Sequence, residues 1–223
     1  MSGKAMTGGA AYDLTSGEVS VFPATAERFD DLAVLLAPKT NPDGDTCWCI
    51  TYRLPAAENQ TLRGCARRER MREFTQGATA PGVLAYVSGQ VAGWAALGPK
   101  TELVYNRSRG IPHLDDAGVW SLYCLKVRPG FRQRGLTAAL IEGAAEYARS
   151  QGAPAIEAYP TDNRGAKVDQ TMAYVGTRDM FERAGFQLIA PTERVSGGFP
   201  RMLMRCELRG TSDSGEQSPV AAS

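Results

Sequence analysis

The stretch LKVRPGFRQRGLTAAL, residues 125–140, decides the fold because it joins a buried strand to a crossover helix. The strand is the end of VWSLYCLKV, residues 119–127, whose nearly continuous apolar letters are typical of a strand covered on both faces. The helix follows over residues 136–149, with leucine and alanine side chains along one stripe. A second short strand comes next, at residues 155–159, so the strand–helix–strand order predicts a parallel pair.

The turn between this strand and this helix has the features of an anion-binding site. The first turn of a helix exposes about four backbone N–H groups without intrahelical partners, together with the positive end of the helix dipole. Gly135 allows a phosphate to approach the backbone closely, and Arg132 and Arg134 add positive charge and forked hydrogen-bond donors. The residues alone therefore predict that this turn binds a pyrophosphate, without indicating which one.

The remaining pattern predicts a single α+β domain. Ser88 and Gly89 inside GVLAYVSGQVAGWAAL indicate a tight hairpin between two strands. We also expect strands at residues 18–22, 186–189 and 201–208, and helices at residues 29–36, 59–76 and 176–184. Small and polar residues dominate residues 1–17 and 210–223, which we expect to be disordered ends around one domain over residues 18–209.

The composition argues against several classes of protein. The 25 Lys and Arg and the 24 Asp and Glu residues leave a net charge of +1, so no overall field would gather nucleic acid or anionic lipid. No apolar run approaches the ~18 residues of a membrane span, and the opening residues do not form a secretory signal. Five cysteines among 223 residues form neither a disulfide framework nor a zinc-spaced set, which favours the cytoplasm and a protein without metal.

Two motifs resemble those of the GCN5-related N-acetyltransferases, the GNAT family. Arg132-x-x-Gly135-x-Thr137, which follows a strand and a Pro129 turn, is similar to the family's pattern Gln/Arg-x-x-Gly-x-Gly/Ala. MFERAGF, residues 180–186, resembles the family's closing helix and its Gly-Phe corner. The resemblance covers residues 83–208 and has both motifs in the family's order. Thr137 departs from the pattern, since glycine or alanine is usual at that position.

The resemblance implies a GNAT-like fold and acetyl-CoA as co-substrate. The fold would be a mixed, mostly antiparallel sheet of about six to seven strands with flanking helices, in which the parallel pair splays apart. The pantetheine arm would lie in that gap, and the pyrophosphate would lie on the amides that open the helix. The residues expected to bind the cofactor are Leu125, Lys126, Val127, Arg132, Gln133, Arg134, Gly135, Leu136 and Thr137. An N–H near Leu125 or Lys126 would polarise the thioester carbonyl for direct attack by an amine.

The resemblance does not supply the group that deprotonates the attacking amine. Family members often use a glutamate on the strand that spans residues 119–127 here, and this strand has no carboxylate. Glu157, on the adjacent predicted strand, is the best-placed acid in sequence, with a structural ion pair as the alternative for it. His113, Asp115 and Asp116 precede the strand, and we expect them to be solvated loop residues.

The acid that would reprotonate the departing thiolate is also missing or displaced. The family often places a tyrosine at the position that Phe181 occupies in this chain. Tyr174, seven residues earlier, is the remaining candidate, with a half-buried tyrosine that anchors a loop as the alternative. Because a thiol has a reference pKa of about 8.5, reprotonation by solvent is also feasible.

Other conspicuous residues have simpler explanations. Cys47, Trp48 and Cys49 indicate packing or the lining of an acceptor pocket rather than a metal site, and Cys124 is expected to be a small buried hydrophobe. The arginines of residues 63–72 indicate a solvated helix face. We expect all three tryptophans in the core.

These expectations describe a cytoplasmic N-acetyltransferase that transfers the acetyl group of acetyl-CoA to a primary amine of a small molecule or a protein. It would act without nucleic-acid or membrane partners, and a homodimer is compatible with the resemblance. The alternative is a non-catalytic acyl-CoA-binding sensor or regulatory domain, which the missing strand glutamate and Phe181 motivate.

Overall fold

A computed structural model of the chain describes residues 19–41, 44–104, 110–115, 117–166 and 173–208. The strands are β1 (Val19–Pro23), β2 (Gly82–Val87), β3 (Gln90–Pro99), β4 (Trp120–Val127), β5 (Ala155–Ala158), β6 (Gln187–Ser196) and β7 (Phe199–Glu207). The α-helices are α1 (Phe29–Leu36), α2 (Ala56–Thr61), α3 (Gly64–Gln76), α4 (Leu136–Ser150) and α5 (Arg178–Arg183). No helix in these ranges is both long and apolar enough to cross a membrane. The ends expected to be disordered, residues 1–17 and 210–223, lie outside the described residues.

All seven strands belong to one mixed sheet in the order β1-β2-β3-β4-β5-β7-β6. β4 and β5 run parallel, and every other pair of neighbours is antiparallel. α4 makes the crossover between the two parallel strands. The predicted α+β class, the size of the sheet and its single parallel pair are confirmed.

The single helix predicted over residues 59–76 is two helices in the structure, α2 and α3. Gly64 opens α3 with a φ of 50°, a conformation that glycine adopts without steric cost. Arg67 stabilises the break, because its Nη1 donates to the backbone carbonyls of Asn59 and Leu62 at 3.3 and 3.4 Å. Arg67 is buried, so the expectation of a uniformly solvated arginine face is wrong at this position.

The helix predicted over residues 176–184 begins two residues later, at α5. Gly176 has a φ of 74°, and the backbone of Thr177 is extended, so neither residue continues a helix. A Cβ at Gly176 would lie 2.8 Å from the ring of Phe181, so glycine also allows the close approach of that ring.

Apolar side chains fill both faces of the sheet. One cluster, the α4-side core, lies under α4 and α5 and includes Leu136, Leu140 and Phe181. The second cluster, the α1-side core, lies under α1 and α3 and includes Phe29 and Met71. The three tryptophans are buried, as predicted.

Candidate functional site

A gap opens beside the second half of β4. β4 pairs with β5 only through its first three residues, 120–122, which lie opposite residues 156–158. β5 ends there, so the rest of β4 has no strand on that side among the described residues. Backbone groups along such an edge can pair with an extended ligand in the way that a neighbouring strand would.

A β-bulge at Tyr123 marks the start of this gap. In the register with β3, Leu122 lies opposite Leu97 and Cys124 lies opposite Ala96, which leaves Tyr123 as the extra residue. Tyr123 and Cys124 both pack into the α1-side core, whereas Leu125 packs into the α4-side core. The gap therefore begins where the alternation of the strand is interrupted.

The turn from β4 to α4 presents a row of backbone N–H groups for which the described residues supply no acceptor. A 3-10 turn at Pro129–Phe131 leads into it, and Gln133 and Gly135 have φ values of 60° and 73°. No acceptor for the N–H groups of residues 133–137 lies among the described residues, and no side chain caps α4. We call these five N–H groups the amide cradle. They lie at the positive end of a 15-residue helix, an arrangement that suits an anion such as a phosphate.

The nine predicted cofactor residues lie on one contiguous segment, from the end of β4 to the opening of α4. They differ in what they can offer a ligand. The side chains of Leu125 and Leu136 are buried, so these two residues can contribute only backbone groups. Val127 and Thr137 are half-buried, and Lys126, Arg132, Gln133, Arg134 and Gly135 are exposed.

Glu157 lies in a buried network of ionic contacts, with a side chain that is 1% exposed. Its Oε2 accepts from Nζ of Lys100 at 2.6 Å and from the hydroxyl of Tyr159 at 2.9 Å. Nη1 of Arg205 lies 3.5 Å from Oε1. In the register of the sheet, Glu157 of β5 lies opposite Ser121 of β4, and Ser121 precedes the gap. These contacts are those of the structural ion pair that the sequence left as the alternative.

Tyr174 lies in a 3-10 turn, Ala173–Val175, that packs against β4. Its hydroxyl is 3.5 Å from that of Tyr52, a residue that sequence reasoning missed. Burial, followed by the hydrogen bond with Tyr52, raises the pKa of Tyr174 to about 12. The phenol is therefore protonated at neutral pH and can donate a hydrogen bond.

Arg53 anchors the bulge and was also missed. Its side chain is 6% exposed, its Nε donates to the hydroxyl of Tyr123 at 2.8 Å, and its Nη2 donates to the carbonyl of Leu97 at 2.7 Å. Gly98 makes room for it, since a Cβ there would lie 2.4 Å from Nη2. Burial raises the pKa of Tyr123 to about 12, although Arg53 opposes the shift. The only sequence signal was an arginine inside the mainly apolar stretch CWCITYRLP, residues 47–55.

The remaining candidates that the structure describes are Phe181, His113 and Asp115. Phe181 is fully buried against Phe186, with ring centroids 5.1 Å apart, so no hydroxyl is available at the position where the family often has tyrosine. His113 and Asp115 are exposed, as expected of loop residues, and Asp115 pairs with Arg205 at 2.7 Å. Asp116 lies outside the described residues.

The chain is similar to known proteins in its sequence and in its fold. The model of the Acetyltransferase (GNAT) family matches residues 48–186, more than half of the chain. No curated protein sequence matches the chain.

Three solved structures have a similar fold. An acetyltransferase structure is 18% identical, with a TM-score of 0.52 and coverage of 85% of this chain and 99% of its own. An uncharacterized protein from Bacillus halodurans is 14% identical, with a TM-score of 0.51 and coverage of 89% and 88%. YncA from Salmonella typhimurium, solved with its cofactor acetyl-CoA, is 14% identical, with a TM-score of 0.50 and coverage of 92% and 99%.

Proposed function

Given that this chain belongs to the GNAT family of acetyltransferases, we propose that it transfers the acetyl group of acetyl-CoA to a primary amine of a small molecule or a protein. The observation that carries the proposal is the amide cradle of residues 133–137, which directly follows the unpaired half of β4. YncA, which has a similar fold, was solved with acetyl-CoA, and this supports the same co-substrate here.

In the proposed complex, the diphosphate of acetyl-CoA lies on the amide cradle. Arg132 and Arg134, both exposed beside the cradle, add charge-assisted hydrogen bonds to the phosphates. The pantetheine arm lies along β4 and pairs with the backbone of Leu125, Lys126 and Val127. The gap beside β4 supplies that edge, because β5 has ended by this point.

The reaction then needs a polarised thioester carbonyl and a neutral amine. A backbone N–H near Leu125 or Lys126 stabilises the developing oxyanion, an effect worth roughly 3 kcal/mol for one well-placed donor. The amine forms the new C–N bond as the C–S bond breaks, and coenzyme A leaves as a thiolate. No covalent enzyme intermediate is required.

Tyr174 is proposed to assist the departing thiolate. With a pKa of about 12, its phenol is a much weaker acid than a thiol of reference pKa about 8.5. Complete proton transfer from Tyr174 is therefore unfavourable, whereas a hydrogen bond to the thiolate is not. We infer that Tyr174 stabilises the leaving group, and that the thiolate takes its proton from solvent.

Glu157 remains a candidate for the general base, although its contacts favour the ion pair. A carboxylate that holds Lys100 and Tyr159 must give up one of them to accept a proton from an amine. Removal of the amine proton through a chain of water molecules is the alternative. Glu157→Gln distinguishes the two.

Calorimetric titration with acetyl-CoA tests the proposal. Arg132→Ala should weaken binding by roughly 3- to 10-fold, because an exposed cation next to a phosphate contributes about 1 kcal/mol. Gly135→Glu should weaken it further, since its side chain puts a carboxylate at the cradle. The matched controls are Arg183→Ala, another exposed arginine, and Gly152→Glu at the far end of α4, with a similar φ of 79°.

The outcome separates the site from general damage to the fold. Both control variants should bind acetyl-CoA as the unaltered protein does. If Arg132→Ala and Gly135→Glu also bound it normally, the cradle would not be the diphosphate site. Thiol release over a panel of polyamines, aminoglycosides and peptide N-termini then tests turnover. Binding without release on any acceptor would favour the sensor alternative.

A further inference from the structure

Three cysteines meet on the α1-side face of the sheet. Sγ of Cys49 lies 3.2 Å from Sγ of Cys124, although 75 residues separate them in the chain. Both residues are buried, with 7% and 9% of their surface exposed. Cys47, two residues before Cys49, is exposed, and its Sγ accepts a hydrogen bond from the N–H of Cys49 at 3.4 Å. The group therefore consists of a buried pair of thiols and a third thiol at the surface.

The turn that carries Cys49 is held in a costly conformation. Trp48 and Cys49 have φ values of 46° and 53°, in the left-handed region that residues other than glycine rarely adopt. Arg67 fixes the turn by donating to the carbonyl of Cys47 at 3.2 Å and to Oγ1 of Thr51 at 3.0 Å. Trp48 also stacks on Phe29, with centroids 6.3 Å apart. These contacts hold the turn in which Cys49 lies against Cys124.

Neither metal binding nor nucleophilic catalysis accounts for this arrangement. Within the described ranges, no three His, Cys, Asp or Glu side chains are grouped so that they could hold a metal ion. A hydrogen bond between thiols, together with burial, raises the pKa of Cys47 and that of Cys49. Both thiols are therefore protonated at neutral pH and are poor nucleophiles. The adjacent thiols of Cys49 and Cys124 can, however, be oxidised to a disulfide.

We propose that Cys49 and Cys124 form a site of redox modification. A hydroperoxide oxidises their two thiols to an intrachain disulfide, and Cys47 is the thiol that meets the oxidant first. Hydrogen peroxide first oxidises the thiol of Cys47 to a sulfenic acid and releases one water. The sulfur of Cys49 attacks that of Cys47, the S–S bond forms, and a second water leaves.

Thiol–disulfide exchange then moves the bond to the buried pair. Cys124 attacks Sγ of Cys49, and Cys47 departs as a thiol that takes up the proton of Cys124. In total, Cys49 and Cys124 lose two electrons and two protons, and the peroxide becomes two waters. Because the raised pKa of Cys47 keeps its thiol protonated, the first step is slow compared with the oxidation of a catalytic cysteine.

The geometry favours the final bond. A disulfide has an S–S length of about 2.05 Å, so the two sulfur atoms must approach by about 1.2 Å. Cys124 follows the bulge residue Tyr123 and precedes Leu125. An effect on acetyl transfer would rest on the proposed function, because Leu125 is where the thioester is placed. The disulfide itself is independent of that function.

The test treats the reduced full-length protein with one equivalent of hydrogen peroxide, followed by alkylation of the remaining thiols and peptide mass spectrometry. We expect a cross-linked Cys49–Cys124 peptide, the loss of two of five thiols, and a higher Tm that dithiothreitol reverses. Cys49→Ser and Cys124→Ser should each abolish the cross-link. Cys47→Ser should slow its formation, and Cys65→Ser, an exposed cysteine outside the group, should leave the rate unchanged.

Three results would overturn the proposal. They are five free thiols after oxidation of the folded protein, a cross-link that joins other cysteines, or a Cys49–Cys124 cross-link that forms only after unfolding. An unchanged rate in Cys47→Ser would refute the entry role of Cys47. The Tm of each reduced variant shows whether it is folded. Thiol counting requires no acetyl-CoA, so failure here is distinguishable from failure of the proposed enzymatic activity.

Discussion

Glu157→Gln decides whether Glu157 is a base or one half of an ion pair. The substitution keeps the shape of the side chain and its ability to accept from Tyr159, and it removes the negative charge. Lys100, whose side chain is only 7% exposed, then loses the carboxylate that lies 2.6 Å from its Nζ. Arg205 keeps its two other carboxylates, those of Asp115 and Glu207 at 2.7 Å each. The cost therefore falls mainly on Lys100.

The size of the effect follows from the burial of the pair. Two unit charges 2.6 Å apart attract each other by roughly 6 kcal/mol at an effective dielectric constant of about 20, before desolvation is counted. Removal of one partner from a buried pair costs about 3–5 kcal/mol. A loss of that size lowers the Tm of a domain of this length by roughly 10 °C.

Urea unfolding and steady-state kinetics, measured on the same samples, provide the assay. We expect Glu157→Gln to lose about 3–5 kcal/mol of unfolding free energy. The kcat of the folded protein should stay within a few-fold, because a general base would contribute 10²–10⁴-fold. Lys100→Met completes a double-mutant cycle, and the double variant should lose about 1–3 kcal/mol less than the sum of the single variants.

One result would refute this reasoning. If Glu157→Gln were as stable as the unaltered protein and turned over at least 100-fold more slowly, the Lys100–Glu157 ion pair would not contribute to stability. The base assignment would then be correct. A bell-shaped pH profile that loses its acidic limb in the variant would support the same conclusion.

Two further predictions concern the surroundings of the bulge. Gly98→Ala should lower the free energy of unfolding by about 1–3 kcal/mol, measured by thermal unfolding, because the new Cβ would displace Nη2 of the buried Arg53. Gly118→Ala, with open space around it, is the control and should change this free energy by no more than about 0.5 kcal/mol. Equal losses in the two variants would contradict the anchoring role of Arg53. Tyr123 and Tyr174 have a folded-state pKa of about 12, against about 10 in an unfolded chain, so the unfolded state releases these protons first. The contribution of these two tyrosines to stability should be complete below pH 10 and should fall as the pH rises towards 12. Tyrosinate absorbance should appear at a higher pH in the native protein than in denaturant. If the two titrations coincided, burial would not protect these tyrosines.

The crossover segment could be predicted because its signals are local. An apolar run, a Pro-Gly turn and a helical stripe each depend on neighbouring residues, and they fixed β4, α4 and the parallel pair. Gly135 was singled out as a glycine, and it has the positive φ that suits a glycine. The amide cradle is itself a backbone property of that turn, so it needed no knowledge of distant contacts.

The contacts of the side chains around the site could not be predicted in the same way. Lys100 and Glu157 are 57 residues apart, and the hydroxyls of Tyr52 and Tyr174 belong to residues 122 apart. Which residues meet across a sheet depends on the register of several strands, and a single sequence does not state that register. Glu157 could therefore be selected by strand position, but its neutralisation by Lys100 could not be foreseen.

The bulge at Tyr123 shows why register matters most in β4. Leu122 and Leu125 both pack into the α4-side core, yet residues three apart in a regular strand face opposite sides. One extra residue resolves this conflict, and it leaves both Tyr123 and Cys124 on the opposite face. The hydroxyl of Tyr123 thereby meets Arg53, and the thiol of Cys124 meets Cys49. Because β4 is apolar on both faces, its sequence does not alternate between polar and apolar residues and therefore gives no sign of the extra residue. The edge proposed for acetyl-CoA and the thiol pair proposed for oxidation thus depend on the same irregularity of one strand.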